Sequence, residues 1–202
     1  MADSKATKKA SPTRRKPATE KLYNYRIDAR RAAERAPATG GSIHPLDTEL
    51  IEELRAQSPK DLPDRKRGLL LERLEDPDTR GWLIRSAEGI PAGYAQVTLA
   101  DTVNARINHK VRVRPHQAYL FDDYVAGRFR RQGLHRMSIA ERARVLAEEG
   151  RTELLVTISA HNVKSRGAFA PFDPLQVGVM WFVPRLRRTV ALPMRPRPDH
   201  QD

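Results

Sequence analysis

The segment Gln117–Phe172 constrains the fold of this chain more than any other stretch. Ala118–Val125 is an apolar and aromatic run of strand length, and Leu154–Ser159 is a continuous apolar run that suits a strand covered on both faces. Between them, Arg136–Glu149 carries apolar residues at helical spacing, and Gly150 follows where a helix would end. A strand, turn, helix and strand in this order predict a mixed α/β fold.

The turn between the first strand and the helix is rich in arginine and contains Gly133. The first amides of a helix have no intrahelical acceptor, and the helix dipole leaves partial positive charge there, so a phosphate can accept several N–H groups at once. Gly133 also lets the backbone approach a bulky ligand. We therefore expect the turn to bind a pyrophosphate, with positive charge supplied by Arg128, Arg130, Arg131 and Arg136.

The turn resembles the signature of the GNAT (Gcn5-related) N-acetyltransferases. In that family Arg/Gln-x-x-Gly-x-Gly/Ala begins a long helix directly after a central strand. Arg130-x-x-Gly133-x-His135 matches this signature except at its last position. His135 can still donate its backbone amide, and we expect its side chain to point out of the turn.

A second segment also resembles the family, in which the next strand is followed by Asn-x-x-(small)-x-x-x-Tyr. Asn162 and Ser165 match this motif, and Phe169 stands where the family often has a Tyr that acts as general acid. The resemblance covers roughly Trp82–Val183, and the two motifs occur in the expected order and spacing.

The resemblance implies a fold and a co-substrate. The fold is a mixed central sheet with flanking helices, of the acyl-CoA N-acyltransferase type, and the co-substrate is acetyl-CoA. Its pantetheine arm is expected to pair with the backbone of Asp123–Val125, and its pyrophosphate with the amides from Arg131 to Arg136. The predicted cofactor-binding residues are Tyr124, Val125, Arg130, Arg131, Gln132, Gly133, Leu134, His135, Arg136, Asn162, Ser165 and Phe169.

Acyl transfer to an amine requires loss of a proton from the amine, and Asp122 and Asp123 are the candidate catalytic residues. Because they are adjacent on a strand, their side chains leave opposite faces and only one can face the acceptor. A carboxylate near a desolvated thioester would have a raised pKa, which suits a general base. The alternative, equally open, is that both carboxylates are structural.

The function implied is an N-acyltransferase that moves acetyl from acetyl-CoA to a primary amine. Two alternatives stay open: a degenerate domain that binds acyl-CoA without turnover, as Phe169 would suggest, and a basic protein associated with nucleic acid. The sequence does not identify the acceptor, and it leaves a homodimer open.

Charge and composition define the ends of the domain. At 202 residues and 39% hydrophobic content the chain can bury one core, and we expect a domain at residues 22–192 with a C-terminal tail at 193–202. Residues 1–21 lack apolar periodicity and should be disordered. This tail carries a large part of the net charge of +12. Its charge can attract nucleic acid weakly and without sequence preference, or it can simply aid solubility.

The absence of Cys excludes disulfides and thiolate zinc sites, and no metal is expected. We find no apolar run of membrane-spanning length and no signal peptide, and we expect a cytoplasmic protein with no membrane contact.

The remaining elements are predicted from local patterns. Thr39–Ser42 is expected to be a flexible joint, and Ala105–Val113 an exposed edge strand or loop. Asp47 is the predicted N-cap of a helix. Further predicted elements are a strand at Leu22–Ile27, a helix at Asp64–Glu75, a hairpin of Trp82–Arg85 and Ala92–Leu99, and strands at Leu175–Val183 and Leu186–Leu192.

Overall fold

The structure, a computed structural model, describes residues 19–193. Residues 1–18 of the predicted disordered N-terminal segment and nearly all of the C-terminal tail therefore lie outside the described residues. Glu20 and Lys21, which the sequence predicted to be disordered, instead begin the first strand, because they pair with Phe182 and Trp181. No helix within residues 19–193 combines the length and the apolar character needed to cross a membrane.

Strands dominate the described part of the chain. Eight of them form one sheet in the order β10-β9-β1-β8-β7-β4-β3-β2, while β5 and β6 pair separately. Neighbours in the large sheet are antiparallel except β7 and β8, which are parallel. The strands are β1 (Glu20–Asp28), β2 (Ser42–Pro45), β3 (Thr79–Arg85), β4 (Pro91–Thr98), β5 (Thr102–Asn104), β6 (His109–Val111), β7 (Gln117–Val125), β8 (Glu153–Ser159), β9 (Leu175–Val183) and β10 (Arg188–Pro193).

Helices cover both faces of the sheet, so the predicted mixed α/β fold with flanking helices is confirmed. Asp47 caps α2 as predicted, because its carboxylate accepts the Leu50 amide at 2.8 Å. The main helix, α4, begins at Leu134, two residues earlier than predicted, because Gly133 takes the N-cap position with φ +78°. The helices are α1 (Ala29–Ala33), α2 (Thr48–Gln57), α3 (Asp64–Leu74), α4 (Leu134–Glu148) and α5 (Val163–Phe169), with 3-10 turns at Gly127–Phe129 and Ala170–Phe172.

The core has a separate part on each face of the sheet. On one face α1, α4 and α5 bury a cluster that includes Ile27, Leu120, Ile139 and Phe169. On the other face α2 and α3 bury a cluster around Leu54, Leu70 and Tyr94. The side chains of a strand alternate between these two environments, which decides where each polar residue of β7 points.

Two local predictions are wrong, and a third is confirmed. Thr39–Ser42 is not a loose joint, since Ser42 begins edge strand β2 and a Cβ on Gly41 would lie 2.6 Å from a methyl group of Leu134. Ala105–Val113 forms the turn and the second strand of the separate β5–β6 hairpin and is exposed or half-buried except at Ile107, so the predicted surface strand or loop is confirmed. β8 is buried on the α4 face only, because Leu155 and Thr157 on its other face are half-buried.

Strands β7 and β8 pair over only part of their length. Their register runs from Gln117 opposite Glu153 to Leu120 opposite Val156, although both strands continue beyond it. Past Leu120, β7 follows β4 through a bulge in which Asp122 has φ +54°. Residues 121–125 of β7 and 157–159 of β8 therefore border an opening that we call the β7–β8 gap.

A glycine makes room for this bulge. A Cβ on Gly93 of β4 would lie 2.1 Å from the carbonyl oxygen of Tyr124, so only glycine fits opposite this part of β7. Gly93 therefore allows β4 to lie close to the part of β7 that does not pair with β8.

Candidate active site

The arginine-rich turn joins the gap to α4. After the Gly127–Phe129 turn, Arg131 and Gly133 both have positive φ, at +67° and +78°. The amide of Met137 donates to the carbonyl of Gly133 at 2.9 Å. The amides of Leu134, His135 and Arg136 precede this first helical hydrogen bond, so they have no intrahelical acceptor and are available to an anion.

Gly133 is required for two independent reasons. Its positive φ favours glycine, and a Cβ there would lie 2.7 Å from Cγ2 of Thr39. The segment that precedes β2 therefore packs against the turn.

The arginines of the turn differ in their contacts. Arg130 donates from Nε to the carbonyl of Val125 at 3.0 Å, which ties the turn to the end of β7. Arg136 donates to the carbonyl of Gly167 on α5 at 3.3 Å. Arg131 and Gln132 are exposed. Within residues 19–193 no ion pair or side-chain hydrogen bond holds Arg131, so its charge is free to meet a ligand.

Asp123, on β7, points to the α4 face and forms a buried ion pair. Its carboxylate accepts two hydrogen bonds from Arg142 of α4, at 3.0 and 2.6 Å. The side chain of Arg142 is 0% exposed and that of Asp123 is 10% exposed. Arg142 also donates to the carbonyls of Ser138 and Gln96, so its guanidinium is held on several sides.

The ion pair decides the protonation of Asp123. Burial alone would raise the pKa of its carboxyl, but the charge of Arg142 and the hydrogen bonds from His135 and Arg142 outweigh burial and lower the pKa. The expected rise in pKa is therefore wrong for Asp123. A carboxylate with a lowered pKa is a weak base.

His135 lies between β7 and α5. A ring nitrogen, Nε2, is 3.2 Å from Oδ2 of Asp123, and the ring meets Phe169 edge-on with centroids 5.7 Å apart. The side chain that we expected to point out of the turn thus packs against the sheet and against α5. It joins α4 and α5 next to the β7–β8 gap.

Asp122 points to the opposite face, toward α3. Its carboxylate accepts hydrogen bonds from Nζ of Lys66 at 2.8 and 2.9 Å and from Arg73 at 2.5 Å. Its side chain is 23% exposed. The two aspartates therefore leave opposite faces, as predicted, but each meets basic side chains of a helix.

Tyr124 shares this face with Asp122. Its hydroxyl donates to Asp61 at 2.5 Å, and its ring stacks on Tyr94. Burial and the hydrogen bond to the Asp61 carboxylate raise the pKa of Tyr124. Its hydroxyl is therefore neutral near neutral pH and remains a hydrogen-bond donor.

The second motif lies at the start of α5. Asn162 caps this helix, because its side-chain oxygen accepts the Ser165 amide at 3.1 Å. Asn162 is exposed, and Phe169 is buried at 2% exposure. The predicted residues of the second motif therefore lie in the segment that directly follows β8, one of the two strands that border the gap.

Several residues of the site were not predicted from the sequence, namely Asp61, Lys66, Arg73 and Arg142. Of these residues, only Arg142 could have been recognised from the sequence pattern. Ile139, Ala143 and Leu146 form the buried stripe of α4, and Arg142 lies three residues after the first of them, on the same side of the helix. A charged residue in an apolar stripe usually has a buried partner.

A parallel strand pair that separates in front of a helix N-terminus defines an α/β fold of the acetyltransferase type. Residues 48–172 match the Acetyltransferase (GNAT) family. The chain therefore belongs to the GNAT family. The matched region begins before the expected Trp82 and includes α2 and α3. Among curated proteins, no relative matches the sequence.

Solved structures show the same fold. A functionally unknown conserved protein from Staphylococcus epidermidis ATCC 12228 aligns with a TM-score of 0.56 and 10% identity, over 81% of this chain and 60% of that chain. A tandem GNAT protein from the clavulanic acid biosynthesis pathway aligns with a TM-score of 0.57 and 15% identity, over 90% of this chain and 56% of that chain. This chain thus spans less than two thirds of either protein.

A third similar structure is the aminoglycoside N-acetyltransferase AAC(6')-Iy in complex with CoA. It aligns with a TM-score of 0.48 and 21% identity, over 65% of this chain and 86% of that chain.

Proposed function

We propose that the protein is an acyl-CoA-dependent N-acyltransferase that moves acetyl from acetyl-CoA to a primary amine. The observation that carries this proposal is the β7–β8 gap, which leads directly into a turn with free helix amides. A long thioester ligand needs such a channel for its arm and such a turn for its pyrophosphate.

The predicted cofactor-binding residues divide into three groups. In the proposal, the backbone of Tyr124 and Val125 meets the pantetheine arm, because this part of β7 does not pair with β8. The turn from Arg130 to Arg136 holds the pyrophosphate. We propose that Asn162, Ser165 and Phe169 meet the ligand from the side of α5, which follows β8.

The reaction transfers an acyl group without a change of oxidation state. The amine loses a proton, its nitrogen attacks the thioester carbonyl, and the carbon–sulfur bond breaks to release a thiolate. Positioning of the two reactants and a backbone N–H directed at the carbonyl oxygen can supply much of the acceleration. Since Phe169 has no hydroxyl group, we propose that water or Tyr124 protonates the thiolate.

The two predicted catalytic carboxylates have different roles in the proposal. Asp122 also meets basic side chains, but its side chain is 23% exposed against 10% for Asp123, so it is the better candidate for an amine to reach and to accept its proton. Asp123 is bound by Arg142 and His135, which supports a role in holding the end of β7 in position.

Calorimetric titration with acetyl-CoA tests the cofactor site. We compare the wild type with Arg131→Glu, which reverses a free charge at the turn, and with Arg30→Glu, which makes the same change on exposed α1. Binding should weaken at least tenfold in R131E and stay unchanged in R30E, because only Arg131 lies next to the proposed pyrophosphate. Equal affinities in all three proteins, or no binding to the wild type, would refute the site.

A domain that binds acyl-CoA without turnover is the second candidate. The buried Phe169 and the ion-paired Asp123 favour it, since neither can donate or accept a proton readily. Release of free CoA thiol is measured with a panel of primary amines, including small amines and lysine peptides. Binding of acetyl-CoA, with no release of CoA thiol above the rate in buffer alone, would support this second candidate over the enzyme.

A further inference from the structure

The β5–β6 hairpin takes no part in the proposed acyl transfer, yet it is firmly attached to the sheet. At its tip Ile107 is fully buried against Leu22 and Met180. Its carbonyl accepts a hydrogen bond from the hydroxyl of Thr189, and Asn108 donates to the carbonyl of Arg187 at 3.0 Å. The hairpin is therefore a fixed platform, in contact with the turn between β9 and β10.

Two arginines extend from the base of the hairpin. Arg112 and Arg114 follow β6 and are exposed. They border a cavity of about 510 Å³ between the hairpin and the sheet, whose lining includes Arg26, Leu155 and Val177. Arg26 is paired with Glu153 at 3.1 Å. Within residues 19–193 neither Arg112 nor Arg114 has an ion pair or a side-chain hydrogen bond.

Two more arginines lie at the other end of the hairpin. Arg185 and Arg187 are exposed in the turn between β9 and β10, and the described part of the chain offers no side-chain partner to either. Val177, at the cavity, and Val183, at the turn, lie about 20 Å apart at the rise of an extended strand. We call Arg112, Arg114, Arg185 and Arg187 together the hairpin surface.

The carboxylates near the hairpin surface are already engaged. Asp101 pairs with Lys110 at 3.0 Å and accepts the Val113 amide at 2.9 Å. Glu20 pairs with Arg106. Asp101 lines the same cavity and its carboxylate attracts Arg112 electrostatically, but within residues 19–193 no carboxylate forms an ion pair with any of the four arginines.

We propose that the hairpin surface binds the phosphate backbone of a single-stranded nucleic acid. A guanidinium group matches a phosphate with two parallel hydrogen bonds, and all four residues are arginines. Their separation into two pairs suits a ligand that carries charge along its length, because a single small anion cannot contact both pairs. The cavity at the base is concave, which fits a strand better than the flat surface of a membrane.

The sequence of residues 1–18 supports the same partner. Their sequence contains Lys5, Lys8, Lys9, Arg14, Arg15 and Lys16. These residues add positive charge to the same chain, which favours a polyanion as the partner.

Fluorescence anisotropy of a labelled single-stranded RNA of mixed sequence tests the proposal, with the full chain at several salt concentrations. The variants are Arg112→Gln/Arg114→Gln and Arg185→Gln/Arg187→Gln. Each should weaken binding and make the negative slope of log affinity against log salt less steep by about 1.4, since a phosphate contact on a single strand contributes about 0.7 to its magnitude. The control is Arg30→Gln/Arg31→Gln, which removes the same charge from α1 and should leave both quantities unchanged.

Each other outcome overturns the proposal. Absence of RNA binding would do so directly. Equal binding by all variants would assign the affinity to net charge or to residues 1–18. Displacement of the RNA by polyglutamate at equal charge would indicate an acidic protein partner, and tighter binding to phosphatidylserine vesicles than to RNA would indicate a membrane. Thermal unfolding of each variant verifies that it is folded.

Discussion

Asp123 and Arg142 show how a single pair of residues fixes the geometry of the candidate site. Two ionised groups removed from water cost several kcal/mol each unless they meet and their hydrogen bonds are satisfied. Here Asp123 accepts from Arg142 and His135, and Arg142 also donates to two carbonyls. Because the pair joins the end of β7 to α4, it holds the strand and the turn in one arrangement.

Asp123→Asn should destabilise the protein by about 3–5 kcal/mol, because Arg142 would be left as a buried charge without its counterion. Urea unfolding measures the loss. Asp123→Leu/Arg142→Leu should recover much of the stability, since it removes both charges. The control Glu141→Gln breaks an exposed pair with Arg144 on the same helix and should cost less than about 1 kcal/mol. A D123N protein as stable as wild type would contradict the role assigned to the pair.

The lowered pKa of Asp123 also predicts a pH dependence. A carboxyl whose pKa is lower in the folded state contributes stability above its unfolded pKa of about 3.9, and that stability is lost as the pH falls toward the folded value. Unfolding free energy measured from pH 7 downward should fall more steeply below pH ~4 in the wild type than in the D123L/R142L variant. Parallel curves for the two proteins would show that Asp123 does not titrate in this way.

Local patterns predicted most of the elements but not those that depend on distant contacts. The N-cap of α2 and the strands β9 and β10 were found near their predicted positions, because caps and strand patterns are encoded by neighbouring residues. β2 was missed because Ser42–Pro45 has little strand pattern of its own and is ordered by pairing with β3. Likewise, no local pattern indicates that Lys66 and Arg73 of α3 meet Asp122 of β7.

At the level of elements, the turn before α4 depends on how Gly133 packs against Thr39. Gly133→Ala should cost about 1–2 kcal/mol from its positive φ, plus the cost of the 2.7 Å contact with Cγ2 of Thr39. Adding Thr39→Ser removes Cγ2 but retains the hydroxyl that accepts the Gly41 amide at 3.2 Å. We expect the double variant to recover only the stability lost through the contact with Thr39, and not the stability lost through the positive φ. Chemical denaturation measures both losses. A G133A protein with wild-type stability would exclude both effects.

Over the whole molecule, the large sheet consists of two halves that meet at β7 and β8. One half is β10-β9-β1-β8 and the other is β7-β4-β3-β2, and only four residue pairs join them within the sheet. The core under α4 reaches both halves, since Ile139 and Leu146 pack in one cluster with Ile27 and Val97. A ligand in the β7–β8 gap would therefore join the two halves at the point where β7 and β8 do not pair with each other.

Acetyl-CoA bound in the gap should stabilise the molecule and protect both sides of the gap at once. At a concentration of about 100 times the dissociation constant, a ligand that binds only the folded state adds about 2.7 kcal/mol. Hydrogen exchange should slow at residues 121–125, at 157–159 and in the turn, while the exposed β10 edge exchanges as before, because the ligand does not reach it. Stabilisation with slowed exchange confined to the hairpin would instead indicate that the anionic ligand binds the hairpin surface. The gap would then not be the binding site of acetyl-CoA.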